Sequence, residues 1–399
     1  MADKTILSAT HISTFKSCPM RFYYRYVLGL APVEETESLR YGTYWHKILE
    51  VQNLVQGEKC CDCGEEPNQN CPICEGSGVV STTLGMDLVV KYLNWAYQTI
   101  PVSKTPEEAA VEQTILLYSL IGYNWYYENR KNYEILAQEI KFDLPLKSPI
   151  TGRTMPNTAI HGKIDKVLKN PATGQLFIGE HKSTSDSLEA DSTYWGHLNL
   201  DTQTLLYPYA ARRLDVGFDT SRIGILYDVW HKPGIRPKML TQGDSKAFME
   251  SGEYCGQKFE IGKFVNNANT DPVLKDGYTI NGTYATMEPG KKEGTFAIKE
   301  TPDMFGARLL QDITQRPEFY FCTKEIARTD DDLVRFESEL FNMYQTIRTM
   351  KKNKAWWCNE TQCEATFKCP YINFCYSNKI VGENEIPEGF KCIFKKEKE

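Results

Sequence analysis

The sequence predicts an α/β fold, a mixed sheet flanked by helices and carrying a helical and a cysteine-rich insertion. Two observations lead to it. Residues 135–144, 159–168 and 176–183 read as strands, and a helix over 198–214 and a strand over 222–230 follow them. The order strand, strand, strand, helix, strand builds a mixed sheet with helical cover. The chain has 399 residues, 41% of them hydrophobic and 25% charged, enough for a substantial core or two modest domains.

From the N-terminus, Ser13 is read as the cap of a first helix running through Arg21 to Val27. A second helix carries His46 to about Leu54. Residues 57–78 are cysteine- and glycine-rich. Helical pattern returns over 84–133, with a break between Pro101 and Pro106. The core strands then begin. Residues 231–300 are rich in Gly, Asn, Lys and Pro and are read as an elaborated insertion. A late strand is expected over 319–327 and a helix over 330–350, followed by a cysteine segment and a Lys/Glu-rich tail expected to fray. No internal repeat is visible. The expected division is 1–56, N-terminal helices with Cys18 and His46; 57–82, the cysteine insertion; 83–134, helical; 135–352, the core with an insertion at about 233–300; 353–376, the C-terminal cysteine segment; and 377–399, the tail.

No run is apolar enough to span a membrane, and the N-terminus has no signal-peptide hydrophobic region. With no export signal, thirteen cysteines point to metal or cluster ligation and not to disulfides. The net charge of −6 argues against a large, uniformly basic surface and leaves room for a local basic groove.

The chemistry concentrates in one hairpin. Asn170, Pro171 and Gly174 mark its turn. A turn centred between Ala172 and Thr173 sets Asp165 opposite Glu180. Side chains alternate along a strand, so Glu180 and Lys182 share a face with Asp165. Two carboxylates one strand apart suit a hard divalent cation, and a lysine beside them can orient water or neutralise a phosphate. This is the core of a metal-dependent phosphodiesterase site. His181 faces the other way and is read as structural. Lys163 is read as a solvated lysine and Glu139 as an ordinary strand glutamate. The aromatic residues of the first helix are read as core.

Cys60, Cys63, Cys71 and Cys74 form two paired-cysteine turns, the spacing of a tetrahedral zinc site, with Cys61 competing for the first position. The second half, Cys71-Pro72-Ile73-Cys74-Glu75-Gly76-Ser77-Gly78, resembles the zinc-domain repeat of DnaJ. A structural Zn²⁺ is expected there.

Asp165 with Glu180-His181-Lys182 resembles the PD-(D/E)XK nuclease superfamily. Three further features resemble its RecB-like exonucleases. Gly42 to Glu50 carries His46 where those enzymes place a metal-binding histidine. Gln203 and Tyr207 match the glutamine–tyrosine motif on the following helix, which implies contact with DNA phosphate or the metal waters. Glu50, one helical turn past His46, is read as its orienting partner or a surface glutamate. Cys18 with Cys363, Cys369 and Cys375 resembles the iron–sulfur staple of AddB-type and CRISPR-associated exonucleases, which implies a [4Fe–4S] cluster. Five residues separate Cys363 from Cys369 where the family has two, so Cys358 competes for that place. Cys61, Cys255, Cys322, Cys358 and Cys392 are read as unliganded.

The resemblance implies a restriction-endonuclease-like sheet and a DNA nuclease in which His46, Asp165 and Glu180 hold Mg²⁺ or Mn²⁺. The expected substrate is DNA with an end or a single-stranded portion, in recombination, repair or replication, beside a helicase or recombinase. A cytoplasmic setting in a bacterial or phage-infected cell is expected. The alternative is a non-catalytic nucleic-acid-binding scaffold held by the same two metal staples.

Overall fold

A computed structural model describes residues 5–34, 37–60, 63, 67–81, 85–101, 104–128, 133–265, 277–365, 368–379, 381–383 and 385–394. Cys61 and the tail residues 395–399 lie outside the described residues.

The chain starts with β1 (Thr5–Leu7) and α1 (Ala9–Ser17). The cap of α1 is Ser8, whose hydroxyl accepts the His11 amide at 3.3 Å, and not Ser13, which lies inside the helix. Nor does the helix run on to Val27. Pro19 has no amide to continue it, and the residue before a proline is pushed from the helical region, so Cys18 is extended. Pro19 then opens α2 (Pro19–Phe22), followed by a wider helical turn over Tyr23–Val27.

Next come β2 (Leu30–Pro32), α3 (Glu37–Val51), α4 (Met86–Ala96) and α5 (Pro106–Tyr127). The start of α5 has two reinforcing signals: Pro106 at its first position and a reciprocal cap between Thr105 and Glu108. Strands β3 (Glu134–Leu144), β4 (Thr158–Lys169) and β5 (Leu176–Thr184) follow. The helix expected over 198–214 is shorter, α7 (Thr202–Ala211), and a short helix not expected, α6 (Thr193–His197), precedes it. Asp201 separates them by capping the Gln203 and Thr204 amides. Strand β6 is Gly224–His231.

The insertion holds α8 (Gln242–Ser251) and seven short strands: β7 (Glu253–Tyr254), β8 (Gln257–Lys258), β9 (Ile261–Phe264), β10 (Gly277–Ile280), β11 (Thr283–Tyr284), β12 (Met287–Pro289) and β13 (Phe296–Ile298). It has a small core of its own around Phe248, Ile280 and Ile298. Helix α9 (Pro302–Gln315), capped by Thr301, was not expected. The late strand is preceded by α10 (Pro317–Tyr320), so β14 is only Phe321–Ile326. Then come α11 (Asp330–Asn353), α12 (Ile372–Tyr376) and β15 (Phe390–Cys392).

The central sheet runs β1-β4-β5-β6-β14, with β3 on the other edge of β4. The β1–β4 and β5–β6 pairs are parallel and the rest antiparallel, so the sheet is mixed as expected. Ile160 pairs with Leu7 on one side and Leu144 on the other, so β1 and β5 share one edge of β4. They pair with different ends of it, residues 158–160 and 166–169. The sheet forks between them.

Alternation along β6 divides the core. Ile225, Tyr227 and Val229 face the layer of α1, α7 and α11. Trp230 faces the layer of α3, α4, α5 and α9, stacking on Trp45 at 4.2 Å between centroids. A separate cluster of Tyr24, Leu30, Tyr371 and Phe374 joins the two ends of the chain, where β15 pairs with β2. No described helix is long and apolar enough to cross a membrane.

Candidate functional site

The hairpin turn is built by Asn170. Its side chain accepts the Ala172 and Thr173 amides at 3.0 and 3.3 Å, and Gly174 supplies the positive φ of 71°. That turn sets the β4–β5 register: Lys169 pairs with Leu176 and Lys166 with Gly179. One step further, at the fork, the register brings Asp165 opposite Glu180. The β4–β5 ladder stops there.

Three elements bring the other residues in. From α3, His46 Nδ1 lies 3.5 Å from Asp165 Oδ2. From β5, Lys182 Nζ lies 2.5 Å from Glu180 Oε1. From α7, Gln203 accepts a hydrogen bond from Lys182 at 2.5 Å and donates one to the Tyr207 hydroxyl at 2.8 Å. Glu180 is 2% exposed, yet neither carboxylate oxygen accepts a well-formed hydrogen bond. A buried carboxylate with no aligned donor is expensive unless a cation occupies its lone pairs.

The charges divide. Burial raises the Glu180 pKa, and nearby Asp165 adds to this, against the pull of Lys182. Burial acts the same way on Asp165 but is outweighed by His46, with help from His181 and Lys182, so its carboxyl stays below the usual aspartate range. For Lys182, burial disfavours the ammonium, and Glu180 more than compensates, so its pKa is raised. The two carboxylates are therefore unlike: one readily ionised, the other reluctant without a positive neighbour.

His181 faces the other layer, with Nδ1 3.1 Å from Asp228 Oδ2. Asp228 also accepts hydrogen bonds from Tyr123 at 2.5 Å and Thr323 at 3.1 Å. This holds the middle of the Glu-His-Lys segment rigid from behind. Glu50 pairs with Lys47 at 3.2 Å. Lys163 is bonded to Glu139. His46, Asp165, Glu50, Lys163 and Glu139 line a common cavity of about 240 Å³. Glu139 has a φ of 55° and stands across from Asp165, between the pairs Gln138–Lys166 and Ile140–Ile164. β3 runs unbroken through this left-handed residue, its one register shift lying at Ile135/Ala137, and the Glu139 side chain lines the cavity. Sequence periodicity gave no sign of it.

Among the described residues, only Cys60, Cys63, Cys71 and Cys74 bring three or more ligand atoms within 4.8 Å of one another. Cys60 and Cys71 sulfurs are 3.6 Å apart and Cys63 and Cys74 sulfurs 3.4 Å. A tetrahedral zinc with bonds of about 2.3 Å needs sulfurs about 3.8 Å apart. Burial pushes the Cys74 thiol up, but Cys63 and the Gly78 and Gly76 amides outweigh it and bring it to about 7. Gly76, at φ 84°, admits no side chain, since a Cβ would lie 3.1 Å from Gln69 Cα.

His46, Asp165 and Glu180 form a more open set, as do the terminal cysteines. Cys18 accepts the Asn359 amide at 3.3 Å, which brings the start of the chain to its late cysteine segment. Cys363 and Cys369 are joined through their backbones at 2.8 Å. Cys358 belongs to the same group, its sulfur 3.8 Å from that of Cys375.

No curated protein matches the chain. The family model of the PD-(D/E)XK nuclease superfamily matches residues 6–376, which include the fork, the Glu180-His181-Lys182 strand and all but the last of the C-terminal elements. The chain therefore belongs to the PD-(D/E)XK nuclease superfamily, a family of metal-dependent nucleases.

Proposed function

We propose that the protein is a divalent-metal-dependent deoxyribonuclease of the RecB-like kind, an exonuclease acting on DNA ends or single strands. The observation that carries the reading is the buried Glu180 carboxylate beside Asp165 at the fork, with the Lys182 ammonium 2.5 Å from its Oε1. Asp165, Glu180 and His46 are the proposed metal ligands. The 3.5 Å between His46 and Asp165 suits adjacent ligands of one ion, which lie about 3 Å apart at Mg²⁺ bond lengths. One imidazole with two carboxylates also suits Mn²⁺.

When bound, the ion would polarise a phosphoryl oxygen and lower the pKa of a water. The chain's own groups supply the rest. Lys182 carries a charge held in place by Gln203, so it can orient the attacking water or stabilise charge growing on the phosphate. Tyr207 fixes Gln203. The Asp228 network holds His181, which itself lines the cavity of His46 and Asp165, and strand alternation sends Glu180 and Lys182 to the opposite side of β5.

Two further groups belong to this reading. Zinc is proposed at Cys60, Cys63, Cys71 and Cys74. A [4Fe–4S] cluster is proposed at Cys18, Cys363, Cys369 and Cys375, with Cys358 the alternative to Cys363. Thiols too widely spaced for a single ion suit a cluster of several irons, whose core spreads its ligands.

The test is cleavage of end-labelled single-stranded and duplex DNA with Mn²⁺ or Mg²⁺. Wild type should shorten DNA from an end. Glu180→Ala and Lys182→Ala should lose cleavage and retain DNA binding. Undiminished cleavage by Glu180→Ala would remove the assignment.

A further inference from the structure

The cysteine knuckle shares a buried core with the helix that delivers His46. Helix α3 ends at Val51, and the chain enters the knuckle at Gly57, whose amide bonds to the Val80 carbonyl at 3.3 Å. Val80 returns a bond to Glu58 at 2.7 Å, and Cys60 bonds to Gly78 at 2.9 Å, closing the knuckle on itself. Its apolar foot is small: Ile73, fully buried, and Val80, 3% exposed. These two, with the thiols of Cys60, Cys71 and Cys74, share one core with Trp45, Ile48 and Leu49 of α3. Trp45 precedes His46 and is clamped on its other side by Trp230. Leu49 also lines the His46 cavity. So α3 and the knuckle contribute to one buried core, with His46 on the same two turns as Trp45, Ile48 and Leu49.

A segment with so few apolar side chains does not hold its shape without a metal. We propose that the Cys60–Cys63–Cys71–Cys74 zinc site is a positioning device for His46. Zinc there seats α3 against the sheet, and thereby sets the affinity of the nuclease site for its divalent ion. The inference rests on the metal-dependent reading of that site. His46 is the only one of its three proposed ligands carried by a helix, while Asp165 and Glu180 are held by the β4–β5 ladder. Loss of zinc should therefore act on the His46 contribution alone.

The experiment measures Mn²⁺ binding to the full-length protein by electron paramagnetic resonance of the free ion, with zinc by elemental analysis. The proteins are wild type, Cys71→Ser with Cys74→Ser, His46→Ala, and the combination of all three substitutions. The double cysteine variant should lack zinc and bind Mn²⁺ about tenfold more weakly, the scale of lost support for a metal ligand. The triple variant should bind no more weakly than His46→Ala, since both changes remove the same contribution. Affinity within about twofold of wild type with zinc gone, or losses that add in full, overturns the proposal. Should the double cysteine variant fail to fold, Ile73→Ala decides, because it keeps all four thiols and removes only the foot. It should retain zinc and still weaken Mn²⁺, and an unchanged affinity overturns the proposal. Wild type that binds no Mn²⁺ defeats the nuclease reading itself. Tight Mn²⁺ binding indifferent to the knuckle defeats only this inference.

Discussion

Gln203 shows how a residue without charge can govern a charged site. It holds Lys182 through its side-chain oxygen and is itself held by Tyr207 through its nitrogen. Without it, Lys182 has Glu180 as its remaining strong partner and is drawn onto that carboxylate. Gln203→Ala should therefore slow cleavage about 10- to 100-fold with little change in DNA affinity, the usual cost of an orienting partner. Gln203→Glu should be worse than Gln203→Asn, because a third carboxylate competes for Lys182. Single-turnover rates at saturating Mn²⁺ separate these effects, and a change confined to KM would contradict the orienting role.

Two helices, α3 and α7, carry side chains of the proposed site, and each is tied down by a polar contact from elsewhere in the chain. In α3, Arg40 makes a two-pronged pair with Glu112 of α5 at 2.6 and 2.8 Å. Lys104 at 3.0 Å and the Tyr97 hydroxyl at 2.9 Å complete the set. Glu112 is 1% exposed, so Glu112→Ala leaves a buried arginine uncompensated and should cost about 3–5 kcal/mol. Burial raises the Glu112 pKa, but Arg40, Lys104 and Tyr97 outweigh it and the net shift is downward. A lowered folded-state pKa means stability that is present above the unfolded glutamate value, about 4.3, and lost as pH falls through the folded value. Urea unfolding at falling pH should show wild type and Glu112→Gln converging in acid. A gap that widened instead would reverse the sign.

In α7 the tie is forced by Pro208. Its missing amide frees the Thr204 carbonyl, and Arg328 donates to that oxygen at 3.2 Å and to the Leu198 carbonyl at 2.5 Å. The proline thus makes the placement of Gln203 and Tyr207 depend on an arginine that follows β14.

For the whole molecule, the thiols join parts of the chain that lie furthest apart in sequence. The cluster proposed at Cys18 and the late cysteines would form only in the folded protein and would add to stability by the free energy of its binding. Cys18→Ser and Cys369→Ser should each lose the brown colour and melt at a lower temperature, and Cys392→Ser should do neither. The loss is partial, because β2 and β15 remain paired and Tyr371 still donates to the Leu30 carbonyl at 2.7 Å. Iron content of Cys358→Ser and Cys363→Ser identifies which of the two is the ligand. Full iron in Cys18→Ser would make the cluster local to the C-terminal segment.

What could be read from sequence was set by short-range physics. The Asn170–Gly174 turn has a distinctive composition, and strand alternation then carries its register outward to Asp165 and Glu180. The cysteine pairs at 60–63 and 71–74 are close enough in sequence for spacing alone to indicate their geometry. Other features depended on partners far along the chain. Ser8 and Ser13 are both plausible caps until packing selects one, and α9 follows an insertion whose composition masks its start. Glu139 looks like any strand glutamate, and only the folded sheet, with its left-handed backbone at that residue, brings it to the cavity beside Asp165. The contact of Arg40 with Glu112, the shared core of α3 and the knuckle and the gathering of Cys18 with Cys358 and Cys375 are long-range pairings. Local propensity carries no information about such pairings, because each depends on how separate elements stack once the sheet has formed.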